Sequence, residues 1–149
     1  MTKRLLVPID GSKSTNQVLA VAARQAKALG AHVCLLYVVE SPARIYSSGY
    51  AYGQLEDDTK KWGEEVLSSA QVEMKEHGVE DLETHLESGH PAQVILDYIK
   101  PHQIDQVVMG THGRRGLDRL LLGSVAEEVV RCSPVPVLTV RVTKDAAST

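Results

Sequence analysis

Leu5-Leu-Val-Pro-Ile9-Asp10-Gly11-Ser12 is the stretch that decides the fold. An almost unbroken apolar run from Leu5 to Ile9 reads as a strand buried on both faces, and Asp-Gly-Ser after it reads as a turn. Val18, Ala22, Ala26 and Leu29 then recur on one helical face, with Ser12 or Ser14 as N-cap and Gly30 as the stop. Val33 to Val39 is a second apolar run. Strand, amphipathic helix and strand in this order make one βαβ unit, which joins parallel strands.

The pattern repeats to the end of the chain. Residues 40–54 are rich in Ser, Gly and Tyr and have no clear period, so they read as a loop. Trp62, Val66, Ala70 and Met74 recur every fourth residue as the core face of a helix that Gly78 stops. Leu82-Glu-Thr-His-Leu86 alternates instead, which predicts a strand with one wet face at a sheet edge. Pro91 suits a first helical position, and Ile95, Tyr98 and Ile99 face inward before the helix ends near Pro101. Ile104 to Met109 is a fourth strand, Ser124 to Arg131 a short helix carrying Val125, Ala126, Val129 and Val130, and Val135 to Val142 a fifth strand. Strict alternation predicts an α/β fold, an open five-stranded parallel sheet with helices on both faces in the Rossmann-like manner. The wet third strand favours the order 3-2-1-4-5, which puts the ligand-binding switch point between strands one and four. Asp10 and Gly110 end those two strands.

Composition agrees and excludes several functions. With 149 residues the chain is the size of one domain, read as residues 1–142 followed by a polar tail at 143–149. Hydrophobic residues make up 43% and charged ones 23%, so wholesale disorder is excluded. A formal charge of −3 argues against a nucleic-acid polymer as partner. There are five Tyr, one Trp and no Phe, so the core is aliphatic and there is little for bases to stack on. Cys34 and Cys132 form no CxxC pair and read as two buried or half-buried thiols in a reducing compartment. Pro8 and Asp10 interrupt the basic N-terminal segment too early for a signal peptide. No apolar stretch approaches the ~20 residues of a membrane span. The expected location is the cytoplasm, without membrane insertion.

Gly110-Thr-His-Gly113-Arg-Arg-Gly116 opens a loop that closes on Leu120-Leu-Leu-Gly123-Ser124, where the fourth helix starts. Glycines let an anion approach the backbone closely, and a helix N-terminus presents unpaired N–H groups and a positive dipole end. The spacing reads either as turn geometry or as a phosphate cradle to which the Ser124 hydroxyl adds a donor. It is not a Walker loop, and no G-x-G-x-x-G follows the first strand.

The run Gly110-x2-Gly113-x9-Gly123-Ser124 resembles the ATP-binding signature of the universal stress protein family. Val7-Pro8-Ile9-Asp10-Gly11-Ser12, Leu35-Leu36-Tyr37-Val38 and Ser133-Pro-Val-Pro-Val-Leu138 resemble that family's first, second and last strands, so the similarity spans nearly the whole chain. The resemblance implies an adenine nucleotide α-hydrolase-like fold binding ATP, or ADP or AMP, with Mg. It puts Asp10 by the ribose or a nucleotide-bound Mg, Pro8 and Ile9 beside the base, and the Val38 backbone at the adenine edge. Met109 and Gly110 would pass under the ribose, while Gly113, Gly123, Ser124 and Val125 hold the phosphates. It also implies a homodimer acting as a nucleotide-dependent stress-response sensor or regulator.

Other readings stand beside these. Capping the first helix is the lesser alternative for Asp10, whose place at the strand end and switch point favours a ligand-facing role. Arg114, Arg115 and Arg119 lie in the loop over the phosphates, either in contact with them or solvated. His112 reads as a surface imidazole or an acid–base group, and the histidines at 32, 77, 85, 90 and 102 show no ligand spacing. Tyr46, Tyr50 and Tyr52 belong to the long loop, as a lid or as flexible chain. No catalytic residue is assigned, since no G-x-S-x-G elbow occurs and no obvious base stands ready to activate water or an acceptor hydroxyl. A slow ATP hydrolase, or an enzyme phosphorylating its own Ser124 or Thr111, is one alternative. A nucleotide-free module regulating an unidentified protein partner is the other. Pro134 and Pro136 place the last strand at an edge, and the apolar Val137, Leu138, Val140 and Val142 suit pairing with a second copy.

Overall fold

The apolar runs form the centre of the sheet. In the computed structural model, which describes residues 2–40, 49–112 and 122–141 (without the side chains of 49–56), five strands alternate with four helices. They run β1 Arg4–Ile9, α1 Thr15–Leu29, β2 His32–Val39, α2 Gly49–Glu76, β3 Leu82–Ser88, α3 Pro91–Ile99, β4 Gln106–Gly110, α4 Ser124–Cys132 and β5 Val137–Val140. All four strand pairings are parallel, in the order β3-β2-β1-β4-β5. The order follows from burial. Leu5, Leu6, Val7, Val33, Leu35, Leu36, Val107 and Val108 are fully buried, which requires covered neighbours on both sides, whereas no residue of β3 is fully buried.

Successive side chains on a strand point to opposite faces, so each face has its own core. Leu5, Val7, Val33 and Leu35 pack with Val18, Ala22 and Ala26 of α1 and Leu67, Ala70 and Met74 of α2. Leu6, Leu36, Val107 and Met109 pack on the other face with Ile95, Tyr98 and Ile99 of α3 and Ala126 and Val129 of α4. Gly30 ends α1 at φ 61, where the Ala31 N–H reaches back to the Ala26 carbonyl at 2.9 Å. A left-handed residue there without a β-carbon lets the chain turn directly into β2.

Several boundaries differ from the periodicity. α2 begins at Gly49, inside the segment read as a loop, so Tyr50 and Tyr52 belong to a helix, while Tyr46 lies outside the described residues. The buried stripe of α2 is Gly63, Leu67, Ala70 and Met74; Trp62 is 48% exposed and Val66 only half-buried. The phase was hidden because Gly63 carries no hydrophobic signal. Its missing side chain is what lets α2 approach the sheet, since a β-carbon there would stand 2.7 Å from both Leu86 Cδ1 and Tyr37 Cδ1. Leu29 and Val130 are exposed at the rims of their helices, and Cys132 is exposed where a half-buried thiol was expected. β5 is shorter than the apolar run because Pro134 and Pro136 precede its ladder; Val142 lies outside the described residues.

Candidate functional site

The switch point lies where β1 and β4 run side by side, Leu5 opposite Gln106 and Leu6 opposite Val107, before their connections leave to opposite faces. At the C-terminal end of β1, Pro8 is half-buried, Ile9 buried and Asp10 half-buried. Asp10 does not cap α1 directly; its Oδ1 accepts the Ser12 N–H at 2.9 Å, closing a turn around Gly11 at φ 76. Ser14 occupies the N-cap without a side-chain bond to the helix, its hydroxyl lying 2.8 Å from that of Ser12. Ile9 pairs with Tyr37, so Val38 at the end of β2 stands next to Asp10 across the sheet.

On the other side of the crevice Met109 is buried and Gly110 half-buried. Thr111 continues the β4–β5 ladder by donating its N–H to the Val140 carbonyl at 3.0 Å, and its own carbonyl accepts the Gly123 N–H at 2.7 Å. That bond fastens the start of α4 to the end of β4. It also commits the Gly123 N–H, one of the groups expected to face phosphate. Gly123 caps α4 in an extended conformation (φ −62, ψ 159) without a side chain to satisfy the first turn. The N–H groups of Ser124, Val125 and Ala126 have no acceptor within their own helix, as at any helix start, and Ser124 is exposed. The Thr111 hydroxyl lies 3.1 Å from His112 Nδ1. Gly113, Arg114, Arg115, Gly116 and Arg119 lie outside the described residues. The structure thus brings Pro8, Ile9, Asp10, Val38, Met109, Gly110, Gly123, Ser124 and Val125 to one end of the sheet. A groove of about 280 Å³ lies beside this end, between α1 and α2, lined by Gly11, Thr15, Trp62 and Glu73 among others. It is not the β1/β4 crevice.

The sequence model of the Universal stress protein family matches residues 1–141. The chain belongs to the universal stress protein family. A universal stress protein of Methanocaldococcus jannaschii is 34% identical over 140 residues, covering 93% of this chain and 82% of the relative. Among solved structures, the universal stress protein UspA from Lactobacillus plantarum superposes with a TM-score of 0.84 at 26% identity, covering 93% and 97% of the two chains. Another universal stress protein, solved in complex with cAMP, superposes with a TM-score of 0.71 at 25% identity, covering 95% and 98%. The parallel order 3-2-1-4-5 is therefore this family's Rossmann-like sheet.

The sequence missed a second constellation, at the opposite end of the sheet. Arg4 pairs with His32, and Cys34 pairs with Glu83, so the first residues of β1, β2 and β3 gather their side chains on the α3 face. Glu83 Oε1 lies 3.0 Å from Arg4 Nη2, 3.1 Å from His32 Nε2 and 3.2 Å from Cys34 Sγ. His85 Nε2 lies 3.3 Å from Oε2 of the same carboxylate. Desolvation alone would raise the Glu83 carboxyl, but contacts from Cys34, His32, His85 and Arg4 outweigh it and hold the group at about 2. Burial, then the hydrogen bond to Glu83, pushes the Cys34 thiol up to about 12. Tyr98 stacks on His102 at 3.6 Å and meets His85 edge-on at 5.4 Å, and its hydroxyl is raised chiefly by burial. The histidines show no ligand spacing because the spacing is across strands, not along the chain. The one signal was the polar face of β3 itself.

Proposed function

We propose that this chain binds an adenine nucleotide, ATP in the first place, in the β1/β4 crevice, and acts as a homodimeric, nucleotide-dependent regulator of a stress response. The observation that carries the reading is the start of α4, which is fastened to the end of β4 by the Gly123–Thr111 bond and left without a side-chain cap. An anion there would be met by the N–H groups of Ser124 and Val125, the Ser124 hydroxyl and the positive helix end. Gly123 then anchors the cradle instead of donating to it. Pro8, Ile9 and the Val38 backbone offer an apolar slot for a base, with Met109 and Gly110 below the sugar.

The residues fit a metal-bound nucleotide on the opposite wall, since the half-buried Asp10 carboxylate stands at the mouth with one oxygen on the Ser12 N–H. Asp10 would hold Mg or meet the ribose, and Mg would neutralise phosphate charge. Gly113 and Arg114 complete the phosphate set in this reading. The adenine ligand draws support from the relative solved with cAMP.

Isothermal titration of the nucleotide-free protein with ATP, with and without Mg, tests the site. Micromolar binding that weakens at least tenfold in Gly113→Val and in Asp10→Asn is expected, because a hydrogen bond to a charged group contributes about 1.5–3 kcal/mol. No binding of ATP, ADP or AMP would leave the nucleotide-free regulatory module. For the dimer, β5 is the sheet edge opposite β3 and presents Val137 and Leu138 half-buried. Light scattering should give twice the 16.2 kDa chain mass; a monomer at micromolar concentration removes that part of the reading.

One contact favours a second reading, weak self-phosphorylation. The Thr111 hydroxyl sits 3.1 Å from an imidazole nitrogen beside the cradle, in place to pass its proton to His112. Incubation with Mg-ATP followed by mass measurement would show one added phosphate, absent in Thr111→Val.

A further inference from the structure

The cluster at the N-terminal end of the sheet is built on three strands held in register, far from the nucleotide crevice. His32, Cys34 and Glu83 each turn one ligand-type atom inward, and those atoms all lie within 4.8 Å of one another. We propose that His32 Nε2, Cys34 Sγ and the Glu83 carboxylate form a binding site for a divalent transition metal of the zinc type, three protein ligands with the fourth position left to solvent.

Three observations carry this. The donor set is one that zinc takes, an imidazole, a thiolate and a carboxylate. The separations suit a tetrahedron, since bonds of about 2.0–2.3 Å place ligand atoms about 3.4–3.6 Å apart. Here Nε2 to Oε1 is 3.1 Å and Sγ to Oε1 is 3.2 Å, and all three atoms lie within 4.8 Å of one another, so small side-chain adjustments bring them around one ion. His32 already has an outer carboxylate partner, because Asp81 Oδ1 lies 2.6 Å from Nδ1. That contact holds the proton on Nδ1 and turns Nε2 toward Cys34 and Glu83, the arrangement that supports metal-bound histidines.

The metal-free cluster also shows what the ion would replace. Oε1 faces Arg4, His32 and Cys34 together, three donors at an oxygen with two lone pairs. For both contacts of His32 to be hydrogen bonds, each ring nitrogen must carry a proton. Binding then exchanges two protons for one dication. The Sγ–H and Nε2–H bonds break, metal–sulfur and metal–nitrogen bonds form, both protons leave to solvent, and the charge of the cluster is unchanged. Arg4 Nη2, 3.0 Å from Oε1 and 3.5 Å from Sγ, must turn aside. Its side chain is 29% exposed, which leaves the head group a way out, while Nε keeps its 2.8 Å bond to the His102 carbonyl.

The test uses the full chain carrying Cys132→Ser, so that the exposed thiol does not compete. Cobalt added to metal-free protein should give an intense sulfur-to-metal absorption band that saturates at one equivalent and disappears in Cys34→Ser. X-ray absorption of the same unmutated cluster loaded with zinc should show one sulfur and the rest nitrogen or oxygen, whatever the folding of the variants. Asp81→Asn should weaken zinc about 10–100-fold, and Arg4→Gln should tighten it. The proposal is overturned by no thiolate band at one equivalent, by a band that survives Cys34→Ser, or by a zinc shell without sulfur. Unchanged zinc affinity in His32→Ala overturns the ligand set, and unchanged or weaker affinity in Arg4→Gln overturns the exchange with the guanidinium. Nucleotide binding does not enter any of these readouts.

Discussion

The two ends of the sheet are built from different materials. At the C-terminal end, the crevice offers mostly backbone: a strand end at Asp10, a glycine cap at Gly123, and the first N–H groups of α4. At the N-terminal end, the same strands contribute side chains, and Arg4, His32, Cys34 and Glu83 meet within about hydrogen-bond range. A backbone cradle is written in a contiguous motif, because spacing along the chain sets where the N–H groups stand. A side-chain cluster is written in strand register, which no local motif records. In the proposed readings the first kind of site takes an anion and the second a cation.

Both ends depend on the layer between them, and breaking that layer should give the largest effect. Leu6 is fully buried in β1, directly opposite Cys34 in the register and in the core shared by α3 and α4. Leu6→Ala should cost about 2–5 kcal/mol, from lost transfer energy and the cavity left behind. Urea unfolding measures it. A loss below about 1 kcal/mol would mean that the two ends do not share one rigid sheet.

The next contrast lies between the two cysteines. Cys34 is 0% exposed with its thiol pushed up to about 12, whereas Cys132 is exposed at the end of α4. The attacking species is the thiolate, so a neutral-pH thiol reagent should modify Cys132 at least about a hundredfold faster than Cys34 in native, metal-free protein. Peptide mapping separates the two. Equal rates would mean that the N-terminal end opens freely.

Much of this was legible in the chain, and what was not has physical reasons. The fully apolar Leu5–Ile9 and Val33–Val39 mark central strands, and the alternation in Leu82–Leu86 marks β3 as an edge; together they yield the order 3-2-1-4-5. Asp10, Gly110, Gly123 and Ser124 fall at one end of the sheet because each closes or opens an element there. Ala70 and Met74 lie on the buried face of α2 as the periodicity predicts, but Trp62 and Val66 do not, because hydrophobic periodicity is blind to Gly63, whose contribution is the absence of a side chain. The commitment of the Gly123 N–H to Thr111 was invisible because it depends on where a loop returns. The polar cluster was missed because Glu83 lies 79 positions from Arg4 and 51 from His32.

A pH scan tests the N-terminal end alone. The Glu83 carboxyl sits at about 2 in the fold against an ordinary 4.5, so the folded state favours its charged form. That stabilisation is fully present above about 4.5 and is lost as pH falls through about 2. The Cys34 thiol behaves oppositely. Its value is raised from 9.0 to about 12, so its contribution is present below 9.0 and is lost as pH rises toward 12. Glu83 is 39% exposed, and solvent screening reduces the acid effect to on the order of 1–2 kcal/mol. Glu83→Gln should flatten the acid limb of stability against pH in metal-free protein. An unchanged acid limb would assign it to other carboxylates.

The smallest effect belongs to the C-terminal end and separates the two building materials most cleanly. Ser124 is exposed at the first position of α4, and its hydroxyl makes no cap bond to the helix, since the cap residue is Gly123. Ser124→Ala therefore removes one hydroxyl from the proposed cradle and leaves every backbone N–H in place. ATP affinity should fall about three- to tenfold, corresponding to one hydrogen bond of about 0.5–1.5 kcal/mol. Stability should move by less than about 0.5 kcal/mol, as for an exposed site that bears no other contact. Titration calorimetry and urea unfolding on the same samples read both quantities. If backbone groups carry the anion, most of the affinity survives this substitution, whereas a loss beyond a hundredfold would make the crevice a side-chain site like the cluster at the other end.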